Sequence, residues 1–104
     1  QIAMAVRECI RMVEKETGQT IDIMSLSYNR LMNHIRYMVA RAIKGEKLKL
    51  NMNDYMSVKF PKSFWMATEV CKQLEKQLHR TSPLDEVEIG YLAMHIERVL
   101  MDKE

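Results

Sequence analysis

The chain is 104 residues long, 47% hydrophobic and 29% charged, with a formal net charge of +2. That length makes one domain, able to bury roughly 65% of its unfolded surface without metal or disulfide staples. The small charge does not require a nucleic-acid partner, no apolar run approaches the roughly 20 residues that cross a bilayer, and 3 Gly with 2 Pro argue against many short strands and tight turns.

Apolar spacing predicts five helical segments and no sheet, with no internal repeat or linker. The first covers about residues 2–15, with Ile2, Val6, Cys9, Ile10 and Val13 on one stripe and Gly18 as the stop signal. The second covers about 27–44. Leu31, Ile35, Met38 and Ala42 form its inward stripe, Ser25 or Ser27 caps its start, and Gly45 ends it in the left-handed conformation. A short helical piece spans about 52–58, with Asn51 or Asn53 as cap, and the Phe60-Pro61 step then breaks the chain. The fourth helix covers about 62–79 around Ala67, Val70, Cys71, Leu74 and Leu78. The fifth is expected from Ser82 as cap and Pro83 at the first helical position, with Asp85 at the positive end of the dipole. It runs to about Met101 with Ile89, Leu92, Ile96, Val99 and Leu100 inward.

The 10 methionines occur in every segment, and thioethers serve either to fill irregular core gaps or to make an adaptable shared surface. Cys9 and Cys71 form no C-x-x-C pattern, which fits a reduced, cytoplasmic protein. Lys44, Lys47 and Lys49 cluster but are interrupted by Glu46 and read as a solvated loop. The chain opens at Gln1, so it is expected to be a piece of a longer protein whose other part holds the output activity.

Two of the three histidines flank apolar stripes. Arg30 stands four residues before His34, Tyr37 three after and Arg41 seven after, spacings that place them on the imidazole's side of the second helix. On the fifth helix, Glu88 stands seven residues before His95, Tyr91 four before and Arg98 three after. A neutral imidazole is a competent nucleophile near pH 7, arginine holds phosphate oxygens bidentately, and a nearby carboxylate can fix the ring tautomer. Such a setting can accept and hold a phosphoryl group, although periodicity alone favours boundary histidines bonded to backbone carbonyls. His79, beside Arg80 near the end of the fourth helix, reads as structural or exposed. No two histidines stand four apart as metal ligands, and no H-E-x-x-H, P-loop or G-x-S-x-G motif occurs, so neither a metal, a cofactor nor an enzyme activity is implied.

Leu31-Met32-Asn33-His34-Ile35 with Arg41 and Gly45 resembles the first histidine motif of the PTS regulation domain, or PRD. Glu88-Ile89-Gly90-Tyr91-Leu92-Ala93-Met94-His95-Ile96 resembles its second, which is the more specific. The resemblance covers about residues 28–100, with Phe60-Pro61 and the following helix in matching places. It implies an all-α, compact five-helix bundle that forms a homodimer. It implies phosphorylation on His34 and His95, in surroundings that include Arg41 and Arg98, by the histidine phosphocarrier protein and sugar-specific enzyme II subunits; helical spacing adds Arg30 as a phosphate neighbour. Nucleic acid would be bound only through an attached antiterminator or activator module absent from this chain. The sequence departs from the family at Asn33, where many members carry Asp and where an amide supplies no negative charge to orient the ring. The alternative is therefore a passive helical dimerisation or protein-docking bundle that keeps the fold without the chemistry. A second rival is direct nucleic-acid binding through the loop from Lys44 to Lys49.

Overall fold

Helix α1 (Ile2–Thr17) opens the chain in the computed structural model, which describes residues 2–77 and 84–101 apart from the side chains of Ile2 and Ala5. Val6, Cys9, Ile10 and Val13 are buried, as their spacing requires. The helix stops at Gly18, whose φ of 72° is open to a residue without Cβ and whose N–H donates to the Glu14 carbonyl at 2.8 Å. Glu14 then holds the returning loop by accepting the Ile21 N–H at 2.7 Å.

Helix α2 (Leu26–Lys44) is capped by Ser25, whose hydroxyl accepts the Tyr28 N–H at 3.1 Å; Ser27 is instead buried. Gly45 ends it at φ 77°. Leu31, Ile35 and Met38 have no exposed surface, and Val39 joins them beyond the predicted stripe. Helix α3 (Asn53–Lys59) and helix α4 (Pro61–Gln77) are separated by Phe60 alone. Phe60 donates its N–H back to Met56 and accepts the Phe64 N–H, each at 2.9 Å, so one residue closes α3 and opens α4. Pro61 occupies the first helical position, where its missing N–H costs nothing.

Helix α5 (Val87–Met101) starts four residues later than the sequence predicts. Leu84 is buried and gives its N–H to the Glu75 carboxylate of α4, which ties this stretch to α4 instead of winding it into α5. Asp85 does act at the helix start, accepting the Val87 N–H at 3.2 Å. Ser82, Pro83, His79 and Leu78 lie outside the described residues.

The described residues are helical throughout their regular structure, so the fold is an all-α, five-helix arrangement. Helix α5 is central: it packs on α2, α3 and α4, while α1 covers α2 and α4. The core gathers Leu31, Ile35, Met38, Met56, Met66, Leu92 and Ile96, each contributing roughly 1.5–3 kcal/mol by leaving water. Methionines divide between roles: Met38, Met56 and Met66 fill the core, whereas Met4, Met24 and Met101 are more than half exposed.

A glycine sets how closely α3 approaches α5. The Asn53 carboxamide is inserted in the first turn of α5, accepting the Gly90 N–H at 2.8 Å and donating to the Glu86 carbonyl at 2.8 Å. It thus replaces the backbone bond that Gly90 and Glu86 would otherwise form. A Cβ on Gly90 would stand 2.5 Å from Asn53 Oδ1 and 2.9 Å from the backbone of Met52 and Asn53. Alanine normally stabilises a helix interior over glycine by up to about 1 kcal/mol. Here overpacking and two lost hydrogen bonds win, and Gly90→Ala is expected to destabilise by about 2–4 kcal/mol, read from urea denaturation midpoints.

Candidate functional site

Helices α2 and α5 carry the two histidines at their contact. The ring centroids of His34 and His95 lie 4.5 Å apart with planes tilted by 30°, and Tyr91, one turn before His95, stacks near-parallel on His34 at 6.3 Å. Seven residues further along α2, Arg41 meets Glu88, which stands seven residues before His95 on α5. The two cross-contacts occur in opposite residue order, so the helices run antiparallel. A seven-residue step is nearly two full turns, which keeps both members of each helix on the facing side.

The Arg41–Glu88 contact is a forked ion pair, with Arg41 Nε donating to Glu88 Oε2 at 2.8 Å and Nη2 to Oε1 at 2.6 Å. The Glu88 side chain is 3% exposed and that of Arg41 18%. Hydrogen bonding to Glu88 holds the guanidinium above its ordinary range, against the opposing effect of burial.

Both imidazoles are half-buried and each hides one nitrogen, His34 Nε2 and His95 Nδ1, without a hydrogen-bond partner. Burial, then the neighbouring His95, then Arg41 push the His34 pKa down to about 3. His95 is lowered by burial first, then by Arg98 and Arg30. Both rings are therefore neutral near pH 7. Arg30 and Arg98 are exposed and enter no salt bridge among the described residues.

The structure redistributes the groups that helical spacing assigned. Arg30, placed beside His34 by spacing on α2, acts across the seam on His95. Tyr91, placed with His95, stacks on His34, and Tyr37 is 62% exposed. Glu88, expected beside His95, is taken by Arg41, and no carboxylate bonds either imidazole among the described residues. Neither ring is hydrogen-bonded to a backbone carbonyl through its buried nitrogen. Asn33 is exposed, so the departure from Asp lies on the outer side of α2 and not in the seam. Lys44, Lys47 and Lys49 are exposed. Chemically, the site offers unprotonated ring nitrogens in a setting of three guanidinium groups, which favours an incoming anion over a cation.

Among the described residues, no helix is long and apolar enough to cross a membrane. The family model described as "PRD domain" matches residues 7–99. The chain is 29% identical over 93 residues to Protein GlcT of Staphylococcus epidermidis, an overlap of 88% of this chain and 32% of the relative. It is 28% identical over 93 residues to Protein GlcT of Staphylococcus haemolyticus, covering 88% and 32%. It is 25% identical over 101 residues to the GlcA/glcB genes antiterminator of Staphylococcus carnosus, covering 95% and 34%. The chain thus spans about a third of the length of the curated relatives it matches. No solved structure matches it.

Proposed function

The chain belongs to the PRD domain family, and from that membership we propose that it is a phosphorylation-controlled regulatory domain of a transcriptional antiterminator or activator in the cytoplasm. Its role is regulatory, not enzymatic. It accepts phosphoryl groups on His34 and His95 from the histidine phosphocarrier protein or sugar-specific enzyme II subunits, and its homodimer changes state in response. Nucleic acid is bound by another part of the regulator. The likeness to a relative named as an antiterminator of the GlcA/glcB genes supports this output.

The observation that carries the reading is the imidazole pair at 4.5 Å, neutral and set among arginines from both helices. In transfer from the histidine phosphocarrier protein, the lone pair of an unprotonated ring nitrogen attacks the phosphorus of the donor's phosphohistidine. The donor's N–P bond breaks and its electron pair returns to the donor ring, while the acceptor's other nitrogen keeps its proton. The arriving group brings nearly two negative charges and three acceptor oxygens. Arg30 and Arg98, exposed and free of carboxylate partners among the described residues, can hold those oxygens at His95. The new charge at the α2–α5 seam then biases subunit packing, for which a few kcal/mol of differential stability suffices.

Incubation with phosphoenolpyruvate, the general phosphotransferase proteins and a range of enzyme II subunits is expected to give an acid-labile mass increase. The label should fall in His34→Ala and in His95→Ala, and vanish in the double variant. An unlabelled chain, together with a dimer equilibrium unmoved by His34→Asp and His95→Asp, would instead identify a passive dimerisation or docking bundle.

A further inference from the structure

Arg41 is the only guanidinium of the site already committed to a carboxylate, and that carboxylate is the most deeply buried charge among the described residues. The pair bridges the two helices that carry the histidines. Its Nε and Nη2 are engaged, leaving Nη1 outside the fork. His34 and Arg41 share the inward side of α2, about 10 Å apart along the axis, a gap that an extended arginine and a phosphoryl group can close from its two ends.

We propose that Arg41 is a two-position latch: it clamps α2 to α5 through Glu88 until His34 carries a phosphoryl group, then transfers to the phosphoryl oxygens and leaves Glu88 stranded. This rests on the reading of His34 as an acceptor. Three features make the transfer consequential. A dianion is a stronger partner for guanidinium than a monoanionic carboxylate. Glu88 is 3% exposed, so it cannot exchange its lost partner for water in place. Glu88 also lies within the turn that Asn53 grips through Glu86 and Gly90, so its rehydration must disturb the α3–α5 contact as well as the α2–α5 seam. The latch thereby turns a charge placed on α2 into loosening at the start of α5.

The test labels His34 alone, in the 104-residue chain carrying His95→Ala, and follows backbone hydrogen exchange by mass spectrometry. Labelling should speed exchange in peptides covering residues 87–93 by about tenfold or more. With Glu88→Gln added, the group left behind is neutral and the acceleration should shrink to under about threefold. The Arg41 Nε–H resonance gives a second readout that needs no substitution at Glu88, and it should shift on labelling. A labelled His34 with unchanged exchange and an unmoved Arg41 resonance overturns the latch while leaving the acceptor reading intact. Equal acceleration with and without Glu88→Gln also overturns it. Failure of any donor to label His34 overturns both.

Discussion

Replacing Arg41 with alanine is expected to lower the free energy of unfolding by about 3–5 kcal/mol, a fall in Tm of more than about 12 °C for a chain of this length. The size follows from an asymmetry in the pair. The Glu88 side chain is 3% exposed and the Arg41 side chain 18%, so removing the arginine leaves a carboxylate stranded where water does not reach. Removing the carboxylate's charge is milder, because a partly exposed guanidinium can turn to solvent. Glu88→Gln should cost about 1–3 kcal/mol. The double change Arg41→Met with Glu88→Leu should recover most of the loss, since an apolar pair of similar volume carries no desolvation penalty. Urea denaturation at neutral pH measures all three. A loss below about 1 kcal/mol for Arg41→Ala would mean that the pair contributes no more than an exposed surface contact does.

Acidification is expected to destabilise the fold through His34 before the carboxylates titrate. Its pKa is held at about 3, by burial first and then by His95 and Arg41, against about 6.5 in the unfolded chain. Between those values the unfolded chain binds a proton that the folded chain refuses. The full contribution is therefore present above about pH 6.5 and is lost as pH falls toward 3, by up to about 1.4 kcal/mol per pH unit. His95 is lowered too and acts with the same sign. From pH 7 to 4.5, His34 alone should remove about 2–3 kcal/mol. His34→Gln, which cannot titrate, should flatten the profile over this interval, as read from urea midpoints at several pH values. Parallel profiles for the two proteins would show that the ring is not kept neutral by its surroundings. The same neutrality bears on the proposed function, because an imidazole without its second proton retains the lone pair that the proposed transfer requires.

Local signals were enough for most of the helices. Ser25 and Gly45 bound α2 because cap chemistry depends on a few adjacent residues, and the stripe of Leu31, Ile35 and Met38 needs only helical geometry to be recognised. The start of α5 was less legible. Pro83 is a suitable first helical residue, but burial of Leu84 and the tie of its N–H to Glu75 on α4 delay the helix to Val87. Asn51 and Asn53 both read as caps for α3, whose cap position is Met52, and nothing nearby in the chain announces that the Asn53 carboxamide serves Gly90 and Glu86.

The sequence by itself determined which residues lie on the site-bearing faces. His34 and Arg41 are seven apart, as are Glu88 and His95, and a spacing of nearly two turns makes each pair share a side. Only the tertiary structure decided who meets whom. Spacing along one helix assigns Arg41 to His34 and Glu88 to His95, but helical neighbours two turns apart point the same way without necessarily touching. The antiparallel seam offers each group a closer partner across it: imidazole against imidazole, and the buried carboxylate against the guanidinium that can neutralise it.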